Sequence, residues 1–204
     1  MARTQAADFA ERRAAIVEEA ARLFAERGFL GASIADLAAA CGSSKSLVYH
    51  YYASKEDILF DVMHSHVKAL LDAAERVAAS EAAPAAKLRA LTHAFMGLYV
   101  GAAARHRVLL NELGRLPKAR RAIVVEIQRR LIAVVADLVA ALRPDLPSAL
   151  ANPAAMLWFG MINWTHTWMN PKGAASPEAI AELAADIFLD GLKLTSSGGE
   201  GVRL

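Results

Sequence analysis

Cysteine is nearly missing from these 204 residues, with Cys41 the single one. One thiol excludes an internal disulfide and a cysteine-based zinc site. It suits a reducing compartment, so a cytoplasmic location is expected. Cys41 itself reads as a small buried core residue. Stretches in which Val, Ile and Thr alternate with polar residues are also missing, while alanine is abundant, which favours helix over strand almost everywhere. No apolar run reaches the ~20 residues of a bilayer span before Arg, Asp or Gly breaks it, so no membrane partner is expected. Met1 to Ala10 contains Arg3 and Asp8 but no apolar segment, unlike a signal peptide. There is no Gly-rich phosphate loop after a strand, no nucleophile elbow and no metal-ligand spacing. Neither an enzyme, a metal site nor a cofactor is expected.

A strong net charge is absent too. The formal value is +2, but it is spread unevenly. Residues 1–55 hold seven Lys/Arg and six Asp/Glu, whereas residues 105–143 hold nine and three. Bulk charge therefore does not announce a nucleic-acid partner, and local arrangement must carry the argument.

What is present is helix after helix, about nine in all. The first is expected over Phe9 to Arg27, where Ile16, Ala20, Leu23 and Phe24 form an amphipathic stripe that ends at Gly28. A short helix from Ile34 to Cys41 has Ser33 as cap and Asp36 in its first turn, and Gly42 stops it. Another runs from about Lys45 to Tyr51 behind Ser43 or Ser44. Ser54 caps a long helix reaching about Ala79. Beyond Pro84, segments are expected to Ala104, over Arg105–Leu116, over Lys118–Leu142, from Pro153 to Met169, and from Ser176-Pro177-Glu178 to Leu194. Ser196-Ser197-Gly198-Gly199 begins a flexible tail. The fold class is all-α. A three-helix, helix-turn-helix domain over residues 1–55 precedes a helical ligand-binding and dimerisation domain over residues 56–204.

Residues 33–55 carry the functional signal. Two short helices joined by a Gly-containing turn make a helix-turn-helix, which lays its second helix in the major groove of double-stranded DNA. The start of that helix offers Ser43, Ser44, Lys45 and Ser46. Small hydroxyls, free backbone N–H groups and a lysine hold phosphates, and Lys45 can also reach a guanine edge. Tyr49, His50 and Tyr51 add hydroxyl and imidazole groups. Between residues 41 and 55 there are two lysines and no acid, so the patch is locally positive.

In this region the chain resembles the TetR family. Gly42, Ser44, Lys45, Val48, Tyr49, Tyr51, Tyr52, Ser54, Lys55, Glu56 and Ile58 fall in register with that family's pattern. Phe24, Gly28, Phe29, Ser33, Ile34, Leu37 and Ala38 match upstream of it. The resemblance implies that Ser33, Lys45, Ser46, Tyr49, His50, Tyr51 and Lys55 face DNA, and that Tyr52 packs against the first helix. Ser43 replaces a usual small apolar residue. Leu47 stands where Thr or Ala is usual and cannot donate a hydrogen bond.

A single such unit contacts few base pairs, so a homodimer on a palindromic operator is expected. The segment 156–169 is apolar nearly all round. Leu157, Met161, Trp164 and Trp168 share one face, and Trp158, Ile162, Thr165 and Met169 another, so one face suits the domain core and the other a partner subunit. Ile180, Leu183, Ala184, Ile187, Phe188 and Gly191 add to this from the last helix. For a small-molecule effector, Phe95, Tyr99, Leu109, Trp158, Met161 and Trp164 can line an apolar cavity. Gly97 and Gly101 leave room for close packing or for a ligand. Arg105 heads a basic stretch, with Arg107, Arg115, Lys118, Arg120 and Arg121, that suits a polyanionic head group or is simply a solvated face. The run Asn163-Trp164-Thr165 with Thr167-Trp168 is similar to TetR-family members that sense acyl-CoA thioesters. The expected protein is a repressor released by an apolar effector of which an acyl-CoA is one form. The alternative is a constitutive DNA-binding protein of the same fold that recruits a protein partner.

Overall fold

The computed structural model describes residues 2–194, with side chains from Asp8 to Lys193. The proposed tail at Ser196–Gly199 lies outside them. Among the described residues every regular element is helical: α1 (Ala2–Gly31), α2 (Ile34–Ala40), α3 (Lys45–Tyr51), α4 (Lys55–Ala78), α5 (Pro84–Gly101), α6 (Ala103–Glu112), a 3-10 turn (Leu113–Arg115), α7 (Lys118–Leu142), α8 (Ser148–Asn163), α9 (Thr165–Trp168) and α10 (Pro177–Leu194).

Two compact units emerge from the packing. One comprises Met1–Ala69 with Ala102–Ile127, the other Leu70–Gly101 with Gln128–Leu204. Packing groups the chain differently from a division at residue 55, because α6 and the start of α7 belong to the same unit as α1.

In the first unit, Ile16, Val17, Ala20, Ala21, Leu23 and Phe24 of α1 are buried, as the stripe requires. The stripe's apolar spacing holds, but the helix does not end at Gly28. Gly28 takes φ 71° and ψ 161°, the chain breaks there, and a further helical turn follows to Gly31. Only glycine adopts that φ without strain. Phe29 resumes the core, its ring 5.4 Å from that of Phe24. α6 lies along α1, and its Arg105 pairs with Glu18 at 2.8 Å.

In the second unit, α10 packs along α5, where Arg89 pairs with Glu182 and with Asp186 and His93 meets Glu182 at 2.7 Å. Glu182 and Asp186 thus serve as a tie between helices. The segment expected to start at Pro153 starts at Ser148 instead, with Pro153 inside the helix. Proline has no N–H, so the bond to the carbonyl four residues back is forgone. Burial of Ala155, Trp158, Phe159 and Ile162 offsets this loss. The same segment splits at Trp164, leaving α9 as a separate four-residue turn.

Among the described residues no helix is long and apolar enough to cross a membrane.

Candidate nucleic-acid interface

The turn between α2 and α3 is built from local chemistry. Ser33 and Asp36 form a reciprocal capping box: Asp36 N–H donates to Ser33 Oγ at 3.1 Å, and Ser33 N–H donates to Asp36 Oδ2 at 2.9 Å. The hydrogen bonds from Ser33 hold the Asp36 carboxyl below its ordinary pKa. Gly42 sits in the turn at φ 57°, where a side chain would meet strain rather than a neighbour. Cys41 caps α2 and is half-buried, not fully buried as expected. Ser44 caps α3, accepting from Leu47 N–H at 3.2 Å and sharing a hydrogen bond with Ser46 Oγ at 2.9 Å.

These caps orient a seven-residue helix with a wet side and a dry side. Leu37 and Ala38 of α2 and Val48 of α3 are buried, and Tyr52 follows them into the core. Tyr52 donates to Asp61 Oδ2 at 2.5 Å and accepts from Arg13 Nε at 3.1 Å, while Arg13 also pairs with Asp61 at 2.9 Å. Burial, then the bond to Asp61, raises the Tyr52 phenol far above its usual pKa, so it stays protonated. Opposite this side, Ser44, Lys45, Ser46, Tyr49 and His50 are exposed, Tyr49 at 53%. Among the described residues Lys45 has no acidic partner.

Not every expected contact residue is available in the same way. Ser33 is exposed, but its hydroxyl is occupied within the capping box, donating to Asp36 at 2.6 Å. Ser43 is half-buried. Tyr51 is half-buried because Phe9 of α1 packs on it, ring centres 4.6 Å apart, with His50 at 6.3 Å from the same phenylalanine. Phe9 escaped the sequence reading, since a lone aromatic before an amphipathic stripe carries no periodic signal.

Lys55 is placed differently from Lys45. Its Nζ donates to the carbonyl oxygens of Phe29 and Ala32 at 2.7 and 2.9 Å and lies 4.2 Å from the centre of the Phe29 ring. The ammonium is spent inside the unit, closing the α1–α2 junction, where α1 ends at Gly31 and leaves its last carbonyls without helical partners.

The expected effector residues do not form one set. Phe95, Tyr99 and Trp158 come together in the second unit, with Phe95 6.0 Å from Tyr99 and 5.5 Å from Trp158 between ring centres. They are buried and close-packed: Trp158 Nε1 donates to Thr92 Oγ1 at 3.1 Å and Tyr99 donates to Asn163 Oδ1 at 2.6 Å. Burial raises the Tyr99 phenol well above its ordinary pKa. Met161 instead lines an apolar groove of about 390 Å³ with Leu146, Leu150, Leu157, Ile187 and Phe188, and Trp164 is exposed. Arg105 and Leu109 lie in the other unit, the first paired with Glu18 and the second buried.

The two faces expected on the 156–169 segment are present. Trp158, Ile162 and Thr165 are buried, whereas Leu157, Trp164 and Trp168 are exposed at 73%, 65% and 58%. On α10, Leu183 and Ile187 are exposed as well.

Comparison with known proteins gives matches at both ends of the chain. Residues 16–62 match "Bacterial regulatory proteins, tetR family" and residues 81–192 match "Tetracyclin repressor-like, C-terminal domain". A TetR-family transcriptional regulator from Bordetella parapertussis 12822 is similar in structure, with a TM-score of 0.83 and 41% identity over 87% of this chain and 94% of that one. The HTH-type transcriptional regulator BetI of Agrobacterium fabrum is 29% identical over 192 residues, 87% of this chain and 88% of BetI. AibR, solved in complex with isovaleryl coenzyme A and operator DNA, shares 26% identity over 86% of this chain and 97% of AibR, with a TM-score of 0.76.

Proposed function

From the premise that this chain belongs to the TetR family of bacterial transcriptional regulators, we propose that it acts as a homodimeric repressor released from its operator by a small apolar effector. The observation that carries the reading is the two-sided character of α3: Val48 is buried while Lys45, Ser46, Tyr49 and His50 stand exposed behind a start capped by Ser44. Lys45 and Ser46 are assigned to phosphates or a guanine edge, and Tyr49 and His50 to the backbone or bases. Residues 1–55 are assigned to DNA reading, residues 56–204 to effector binding and pairing of subunits.

The pairing surface is assigned to the exposed apolar face of α8, α9 and α10, where Leu157, Trp164, Trp168, Leu183 and Ile187 lie open. Leu157 and Ile187 line one apolar groove, and exposed apolar surface of this kind marks an interaction site. Two reading helices must then match the DNA repeat of ~34–36 Å, so a shift of a few ångströms between them lowers affinity.

For the effector, an acyl-CoA thioester is proposed. AibR, of similar fold, was solved with isovaleryl coenzyme A, and that likeness supports the choice. The acyl chain would enter among Phe95, Tyr99 and Trp158, whose rings must part to admit it. The second reading, constitutive DNA binding with recruitment of a protein partner, is favoured by one observation: those rings are already close-packed. Thermal-shift and gel-shift measurements with a series of CoA thioesters separate the two. Repression with release predicts a raised midpoint and a freed operator for some chain length. No response at any chain length overturns the effector reading and leaves the constitutive one.

A further inference from the structure

Most of the positive charge of the unit that carries α3 comes from outside the helix-turn-helix. Residues 1–69 hold eight Lys/Arg and nine Asp/Glu, whereas residues 102–127, packed in the same unit, hold six and two. Within that insert, residues 113–121 contain Arg115, Lys118, Arg120 and Arg121 and no acid. A surface that meets DNA must supply cations to the phosphates, and the first 69 residues supply no excess of them.

The position of this stretch is defined by Arg120. Its guanidinium pairs with Asp57 in the first turn of α4 and lies 4.6 Å from the centre of the Phe60 ring. Arg120, Asp57 and Phe60 wall a single cleft of about 220 Å³ together with Tyr51, Tyr52 and Ala53. Tyr51 is the last residue of α3, so the first turn of α7 stands beside the end of the proposed reading helix. Lys118 and Arg121 flank Arg120, are exposed, and have no acidic partner among the described residues. Helix stability does not account for them, because cations in a first turn oppose the helix dipole.

We propose that Lys118 and Arg121 form a second contact with the phosphate backbone of DNA, held beside the reading helix by the Arg120–Asp57 pair and the Phe60 ring. The inference rests on the DNA-regulator reading and extends it to a segment that the helix-turn-helix does not include. Such contacts position the protein and strengthen binding without reading sequence.

The test uses the full chain and a duplex enriched by the wild-type protein from a random-sequence pool, with a scrambled duplex of the same composition beside it. Affinities are measured by fluorescence anisotropy across a salt series for wild type, Lys45→Ala and Lys118→Ala/Arg121→Ala. Because each phosphate contact contributes about 0.9 to the slope of log affinity against log salt, and the homodimer presents the pair twice, the double variant is expected to lose nearly four from that slope. It should weaken both duplexes by the same factor and keep the wild-type preference between them. A double variant with the wild-type slope, while Lys45→Ala binds more weakly, overturns this inference and leaves the helix-turn-helix reading standing. So does a double variant that keeps its DNA slope but loses a thermal-shift response to coenzyme A, which would assign the patch to an anionic effector. If wild type enriches no sequence, the DNA-regulator reading falls and this inference with it. Thermal midpoints of the variants check that each is folded.

Discussion

Glu112 accepts the backbone N–H of Phe29 at 3.2 Å, one residue beyond the point where Gly28 breaks α1 with a φ of 71°. The break orphans donors that an unbroken helix would satisfy internally, and a carboxylate from α6 supplies the missing acceptor. The two residues are also close in space: a Cβ at position 28 would lie 3.3 Å from Glu112 Oε1. Glu112→Ala is expected to cost about 1–2 kcal/mol, because a partly buried N–H loses its acceptor. Glu112→Gln keeps an oxygen there and should cost less. Urea unfolding measures both, and equal midpoints for all three proteins would sink the idea.

Lys55 and Lys45 are expected to behave in opposite ways. Lys55 makes two hydrogen bonds to carbonyls and a cation–π contact, so Lys55→Met should lower stability by roughly 1–3 kcal/mol. Lys45 is exposed, so Lys45→Ala should stay within about 0.5 kcal/mol of wild type while weakening DNA binding. Stable Lys55→Met protein with a reduced salt slope on DNA would return Lys55 to the phosphate contacts.

The outward apolar face makes a claim about assembly. Leu157 and Ile187 are exposed at 73% and 56% and line the same groove. Leu157→Asp/Ile187→Asp is expected to sediment as a monomer at concentrations where wild type is a dimer, with its helical circular dichroism retained. Wild-type protein that sediments as a monomer throughout would remove the pairing role from this face.

His66 gives stability a pH dependence. Burial holds its pKa at about 4, below the ordinary 6.5, and the nearby charge of Arg105 acts in the same direction. The ring is therefore neutral when folded, its Nε2 in a hydrogen bond with His106 Nδ1 at 3.2 Å. Between the two values the unfolded chain binds the proton and the folded chain does not. The contribution is full above about pH 6.5 and is lost as pH falls towards about 4, reaching roughly 3 kcal/mol at the low end. Urea midpoints from pH 7 to pH 5 should fall for wild type and fall less for His66→Gln. Parallel pH profiles for the two proteins would contradict this.

The parts legible in sequence are those decided locally. Ser33 with Asp36, Gly42 in the turn and Ser44 at the start of α3 are caps and turns acting over three or four residues, so they could be read in order along the chain. The paired faces of the 156–169 segment follow from helical spacing in the same way. Pro153 lies inside α8 rather than at its start, because local preference for a first turn says nothing about the burial of Trp158 and Ile162, which keeps the helix intact around it.

The helix-turn-helix is thus a property of the sequence itself: caps, a glycine and one buried stripe suffice to specify two short helices and which side of the second is wet. What lysines and arginines do was decided by tertiary structure, because a charge has no periodicity and takes its meaning from whatever lies opposite. Lys55 faces two orphaned carbonyls and an aromatic ring, Arg105 faces Glu18, and Arg120 faces Asp57. Only the packing of residues 102–127 against the first helices, through contacts some 80 residues apart in sequence such as Glu112 with Phe29, places a basic segment in the unit that bears α3.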